Sequence, residues 1–309
     1  MGKYAHPTIN TFKGQNMSKE FSIAVVGLGL IGGSLLKALR PKNFHLIGVS
    51  GREETVSKAR KQNLADEYST DINAVKDAKI VFICTPIHKI ISFIDQISKI
   101  VSSDCIITDV GSLKGFIADY VDNAEFPVNF IGGHPMAGTE HKGIDNAVDN
   151  LFEDAKWVLT PSKWSESRDI ESLKELIKEI GAKVIIANPH EHDRAVALIS
   201  HLPLLVSQSL FGIVYKYSDE STKDLALSIA ASGFRDTTRL AATNPELAKD
   251  MLLLNKVNIR EAAKDFVNYL LSMDKNLDLE EEKFMKITEE LVTNRKNLYS
   301  PEGKNIYKQ

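Results

Sequence analysis

The chain has 309 residues, 43% hydrophobic and 26% charged, with a formal net charge of -3. That balance excludes a basic nucleic-acid binder and a protein drawn to anionic membranes. No apolar run reads as the ~18 residues a membrane span needs. The length fits two domains of ordinary size. Cys84 and Cys105 lie in the apolar runs "IVFICT" and "CIITDV" and read as buried free thiols of a reducing compartment, which points to the cytoplasm.

The opening "MGKYAHPTINTFKGQN" is polar, lacks acidic residues and has no apolar core of a secretory signal. Met17 offers a second start, so residues 1–17 read as a flexible arm or a tag. From Phe21 strands and helices alternate. "FSIAVVG" is a β-branched run closed by glycine, and "GGSLLKALR" has helical spacing with Leu35, Leu36 and Leu39 on one face. "HLIGVS" and "KIVFICTP" are strands, with "ETVSKARKQN" and "KIISFIDQISKI" as helices. "CIITDVGS" and "NFIGGHP" follow as strands, then "KWVLTP" and "KVIIAN" on either side of the amphipathic "DIESLKELIKEIG". Short apolar strands between helices imply an α/β domain over residues 18–187, its parallel sheet covered on both faces.

Beyond Ala187 the strands stop, and residues 188–300 read as an all-α domain. "ALISHLPLLVS" sets His201 just before a proline in an apolar helix, which predicts a kink. Asn244 and Pro245 form an N-cap and first-turn pair, and a last helix runs over roughly 277–297. These helices are apolar on more than one side, which predicts a homodimer.

"VVGLGLIGGS" places Gly27, Gly29 and Gly32 in G-x-G-x-x-G spacing between a predicted strand and a predicted helix, with Leu30 and Ile31 before the third glycine. In that setting the first glycine permits the turn, the second admits a pyrophosphate, and the third lets helix pack on strand. Free N–H groups at the helix start complete a phosphate site. An NAD site commonly has an acid at the end of the second strand. Here "IGVSGREE" has Ser50 at that place and Arg52 two residues on, which suits a 2′-phosphate and predicts NADP. Glu53 and Glu54 read as the start of the next helix, where acids suit the dipole.

Ligands of an open parallel sheet bind beyond the carboxyl ends of its strands. Three strands in succession end in "CTPIH", with Thr85 and Pro86, in "TDVGSLK", with Ser112, and in "GGHPMAGT", with His134. His134 therefore faces the predicted nicotinamide crevice beside Ser112. A histidine there can take a hydroxyl proton while hydride leaves the same carbon, and Ser112 can bond that hydroxyl or hold the imidazole. The competing reading is a structural histidine at a strand end. His88, His141, His190 and His192 read as surface residues. In the helical half, "SGFRDTTRLA" sets Arg235 and Arg239 four apart, which suits a carboxylate; an Arg–Asp ion pair at a helix contact is the alternative.

Together, "GLGLIGGS", "TDVGSLK", "GGHPMAGTEHKGI", "SHLP" and "SGFRDTTR" resemble the prephenate and arogenate dehydrogenases of tyrosine biosynthesis, from about residue 22 to 262. The resemblance implies a Rossmann domain followed by a helical dimerisation domain, with the active site between them. It also implies oxidative decarboxylation of a cyclohexadienol: hydride leaves the carbon bearing the ring hydroxyl, carbon dioxide leaves from the opposite carbon, and the ring becomes aromatic. By motif, His134 matches the catalytic histidine and Ser112 the serine that works with it. Thr139 matches a substrate-lining position, Arg239 the carboxylate-binding arginine with Asp236 as its partner, and His201 the histidine of "SHLP" near the cofactor.

Prephenate-preferring members often read "SHLPH", where this chain has Leu204. That departure and the stretch around Ser50 look closer to the cyanobacterial-type arogenate dehydrogenases, which use NADP. The expectation is an NADP-dependent arogenate dehydrogenase forming L-tyrosine. The alternative is a prephenate dehydrogenase using NAD or NADP. A non-catalytic dinucleotide sensor would be expected to have lost His134, Ser112 or Arg239, and all three are present. A hydroxyacid or imine reductase usually uses a lysine or acid from the helical domain, and no such lysine stands out.

Overall fold

A computed structural model of the chain describes residues 21–124, 128–138 and 141–300. The predicted arm at 1–17 and Thr139 lie outside the described residues.

The first half alternates strand and helix: β1 (Ser22–Val26), α1 (Leu30–Leu39), β2 (His45–Val49), α2 (Glu53–Lys61), β3 (Glu67–Ser69), β4 (Ile80–Ile83), α3 (Ile90–Ile97), β5 (Ile106–Asp109), α4 (Gly115–Asp122), β6 (Phe130–Pro135), β7 (Lys156–Pro161), α5 (Ser167–Glu179) and β8 (Lys183–Ile186). They form one sheet in the order β3-β2-β1-β4-β5-β6-β7-β8. The strand order reverses between β1 and β4, which places the ligand crevice there. Both faces of β1 are covered: Ile23 and Val25 join one apolar cluster, Ala24 and Val26 the other. Alternation of side chains along a strand makes this division. Each fully buried Val, Leu or Ile contributes about 1.5–3 kcal/mol.

Two features depart from the sequence expectation. Every ladder is parallel except that of β6 with β7, which is antiparallel. The described residues between them hold only a 3-10 turn, Ile144–Asn146, and a parallel return usually needs a helical crossover. The edge strand β3 adds three residues beside β2, with no β-branched run to announce it.

In the helical part α6 (Pro189–Val196) begins at Asn188, whose side chain accepts from the N–H of His190 and Glu191. A π-helical turn, Ala197–His201, joins it to α7 (Leu202–Tyr215). Leu202 N–H donates to Ala197 O, five residues back. Pro203 has no N–H to donate, so the predicted kink takes the form of a widened turn. Then come α8 (Glu220–Ser228), α9 (Ser232–Thr237), a 3-10 turn at Arg239–Ala242, α10 (Pro245–Leu254) capped by Asn244, α11 (Lys256–Asn276) and α12 (Glu281–Tyr299).

The continuous helix Pro189–Tyr215 has 27 residues and contains an 18-residue window with a mean hydropathy of 1.7, enough by length and composition to cross a membrane. The sequence reading found no such run because polar residues interrupt it. On this helix His192, Val196, His201, Leu204 and Ser207 form a buried stripe at helical spacing.

The described residues up to Asn258 form one compact unit and those from Ile259 a second. The first unit extends past the predicted boundary at 187 because Asn255 Nδ2 donates to the Asp193 carbonyl at 2.8 Å, and Asp193 in turn caps α4. Cys84 and Cys105 are free. Burial pushes both thiols up, that of Cys105 to about 12.

Candidate active site

The glycine turn is built for a ligand. Gly27 has φ of +102°, and a Cβ there would stand 2.5 Å from the Cys84 carbonyl oxygen. A Cβ on Gly32 would lie 2.0 Å from Gly27 O, so only glycine lets α1 sit this close to β1. Gly29 is the N-cap of α1 and has open space above it, and no side chain caps the helix. Its first N–H groups therefore remain for an anion. At the ends of the flanking strands stand Ser50, buried, and Thr85, whose Oγ1 is buried without a hydrogen-bond partner. An unpaired buried hydroxyl beside an open turn fits a bound polar ligand. Leu30, Ile31 and Pro86 border this turn in sequence, and Pro86 is exposed.

Past that turn, Arg52 precedes α2, exposed and with no ion pair among the described residues. Glu53 and Glu54 open α2 as expected, and Glu54 pairs with Lys58 at 3.3 Å. Lys58 is raised by its hydrogen bond to Asp145, then by that to Glu54. The second-strand end thus presents a hydroxyl and a guanidinium.

The loop after β5 and the end of β6 meet over a buried ion pair. Lys114 is 1% exposed and Asp109 0%, and the Lys114 ammonium donates to Asp109 Oδ2 and, at 2.8 Å, to Gly133 O. Asp109 also accepts from Gly111 N at 2.8 Å and Gly133 N at 3.1 Å. Burial lowers Lys114, opposed by the charge of Asp109. Gly132 and Gly133 leave room for this pair: a Cβ at Gly132 would reach Thr160 Oγ1 at 2.3 Å, and one at Gly133 the Asp109 carbonyl at 2.5 Å.

His134, half-buried, projects from β6 opposite Val158 of β7. Its Nδ1 lies 2.8 Å from His192 Nε2, and the rings meet edge to face at 78°. His192 is 4% exposed and its Nδ1 lies 2.9 Å from Asp193 Oδ1. Burial, then the neighbouring His192, Lys114 and His201, hold His134 well below the ordinary histidine value. A neutral, partly accessible imidazole is what a general base near neutral pH requires. Ser112 lies in the loop after β5, partly accessible, with no hydrogen-bond partner among the described residues.

His192 corrects the sequence reading. His88, His141 and His190 are exposed, as predicted, but His192 is buried and touches His134. The available signal was the helical stripe it heads, four residues before Val196 and nine before His201. Lys114 was also missed, since a buried lysine is legible only when its partner is known.

Other predicted residues fall elsewhere. His201 is 1% exposed and its Nδ1 meets Asn255 Nδ2 at 3.0 Å, so it is seated within the helix packing; burial lowers it to about 4. Asp236 pairs with its neighbour Arg235 at 2.9 Å rather than with Arg239, because α9 ends at Thr237 and the backbone turns before Arg239. Arg235 and Arg239 are therefore not on one face of a regular helix. Both are exposed, and neither is among the described polar contacts of His134.

The model of the prephenate dehydrogenase nucleotide-binding domain matches residues 35–186, and that of the prephenate dehydrogenase dimerization domain matches 188–292. The chain belongs to the prephenate dehydrogenase family. It is 35% identical to a prephenate dehydrogenase of Bacillus subtilis over 80% of this chain and 67% of that one. The crystal structure of Synechocystis arogenate dehydrogenase matches with a TM-score of 0.80 at 37% identity, over 89% of this chain and 99% of that one. The Aquifex aeolicus prephenate dehydrogenase, solved with hydroxyphenyl propionate and NAD+, matches with a TM-score of 0.83 at 30% identity, over 92% and 100%. This member of the prephenate dehydrogenase family is an oxidoreductase with a nicotinamide-cofactor site and a small-molecule substrate. His134, Lys114 and Asp109 lie in the part matched by the family's nucleotide-binding model and His192 and Asp193 in the part matched by its dimerization model, while the glycine turn stands just before the first match.

Proposed function

We propose that this chain is an NADP-dependent arogenate dehydrogenase of tyrosine biosynthesis, converting L-arogenate to L-tyrosine and carbon dioxide. The observation that carries the cofactor choice is the second-strand end. Ser50 replaces the usual acid, Arg52 stands exposed, and Glu54 is engaged with Lys58. Leu204 carries the substrate choice. It is 1% exposed and offers no hydrogen bond to a pyruvyl side chain where prephenate-preferring relatives have a histidine.

In this reading the N-terminus of α1 would hold the cofactor's pyrophosphate, and the bound nicotinamide would supply the hydride acceptor. His134 Nε2 takes the proton of the ring hydroxyl as hydride leaves and returns it to the phenolate oxygen once the ring is aromatic, and the Ser112 hydroxyl bonds the same oxygen. Arg239 binds a substrate carboxylate. The electron pair of the broken carbon–carboxylate bond completes the aromatic ring. The nucleotide-binding domain is residues 18–187 and the helical domain 188–300. The enzyme works in the cytoplasm, consistent with its two free thiols.

The second reading, a prephenate dehydrogenase, is favoured by the Bacillus and Aquifex relatives, both prephenate dehydrogenases. Initial rates for arogenate and prephenate, each with NADP and with NAD, separate the two. Turnover mainly with arogenate and NADP supports the proposal. Equal turnover of prephenate moves the choice to the second reading, and a preference for NAD means that Glu53 or Glu54 reaches the ribose.

The helical part supports a homodimer. Ile213, Tyr215, Leu225 and Ile229 are exposed in one unit, and Leu270, Leu271 and Leu277 in the other. Light scattering at micromolar concentration should give twice the 34.3 kDa chain mass. A monomer would overturn the assignment.

A further inference from the structure

The network behind His134 has a direction. Asp193 sits where α6 meets the start of α4 and receives two backbone donors: Lys114 N–H reaches Oδ1 at 2.8 Å and Gly115 N–H reaches Oδ2 at 2.8 Å. Gly115 is held to glycine here, because a Cβ would stand 2.9 Å from Asp193 Oδ2 and 3.0 Å from His190 Nδ1. Asp193 is thus anchored at both oxygens, and a carboxylate in this place only accepts. Among the described residues, the side chain that reaches Oδ1 is His192, through Nδ1 at 2.9 Å.

The rest follows from counting protons. Nδ1 of His192 must carry a hydrogen to meet Oδ1. A neutral imidazole with hydrogen on Nδ1 has a lone pair on Nε2. That nitrogen lies 2.8 Å from His134 Nδ1, so His134 Nδ1 must be the donor. A neutral His134 with hydrogen on Nδ1 keeps its lone pair on Nε2, the atom a proton acceptor needs. A free imidazole in water prefers the opposite form, with hydrogen on Nε2. The geometry points to His192 and Asp193 as positioning residues that hold His134 in the tautomer with Nε2 unprotonated. His192 and Asp193 act through His134 and need touch neither substrate nor cofactor.

This assignment rests on the reading of His134 as the base, but its test does not need turnover. The chain has eight histidines, and in protein labelled with 15N-histidine a long-range 1H–15N correlation distinguishes the two neutral tautomers. His134→Asn identifies the His134 signals by their loss. At pH 8 we expect wild-type His134 to carry its hydrogen on Nδ1, and His192→Leu to move it to Nε2. With the substrate that turns over, His192→Leu should lower kcat about 100-fold, with KM within about twofold, as expected when a base is left in the wrong tautomer. His192→Gln keeps one acceptor and one donor at the end of its side chain and should recover about tenfold of that loss. A merely structural His192 would show neither the tautomer change nor this rescue. Hydrogen on Nε2 of His134 in the wild-type protein overturns the assignment, even if the variants fail to fold. If no substrate pairing turns over but Nδ1 is protonated, the relay stands and the substrate reading fails. If a pairing turns over and Nε2 is protonated, the reverse holds.

Discussion

His134→Asn lowers kcat for cofactor reduction by about 1000-fold while leaving KM within about threefold, because it removes the proton acceptor but not the binding contacts. Asparagine retains a side-chain amide toward His192, so the fold of β6 should survive, and an unchanged thermal midpoint would confirm that. The same residue sets an expectation for pH. In the proposed mechanism activity requires the neutral imidazole, and burial, followed by the neighbouring His192, Lys114 and His201, holds His134 well below the ordinary histidine value. Protonation therefore sets in only as pH falls well beneath the usual histidine range. The kcat/KM profile should stay flat through neutrality and fall on the acid side of that range. An acid limb at the ordinary histidine value would show that another group controls the rate.

Lys114→Met should destabilise the protein by about 3–5 kcal/mol, the range for breaking a buried ion pair from one side. The cost comes from Asp109, which is fully buried and would be left with two backbone donors and no cation. Gly133 O would lose its donor as well. Adding Asp109→Asn removes the stranded charge and keeps one oxygen, enough for the N–H of either Gly111 or Gly133, which reach different carboxylate oxygens. The double variant should therefore recover part of the loss. Urea denaturation of wild type, both single variants and the double variant measures the coupling directly. A double variant as unstable as Lys114→Met would mean that packing under Gly132, rather than charge pairing, is what the lysine supplies. Either result bears on His134, since the peptide that Lys114 and Asp109 grip at Gly133 is the one that presents it.

Local pattern was enough to read much of this chain. The strand–glycine–helix order around Gly27, Gly29 and Gly32 depends on backbone sterics within a few residues, so its spacing alone located the turn. The unbroken apolar runs of β1, β4 and β5 announced a sheet covered on both faces, because such strands have no solvated side. Asn188 and Asn244 marked helix starts for an equally local reason, since the cap accepts from N–H groups two or three residues on. His134 was legible as the end of a strand pointing into a crevice.

Tertiary structure alone decided what lies behind it. The direction of β7 depends on how the chain returns from β6, and that return leaves no periodic trace. The short β3 exists because β2 offers it an edge, whatever its own propensity. Arg235 takes Asp236 because the helix ends between it and Arg239, a break of one residue that spacing could not show. Above all, His192 and Asp193 stand 58 positions or more from His134 and Lys114–Gly115 in the contacts that matter. Sequence determined that a histidine would stand at the end of a strand of the parallel sheet. The direction of its hydrogen bonds, and the buried pair of Lys114 and Asp109 beneath it, depend on which distant groups share a dry interior, where an unpaired charge or donor is too costly to leave.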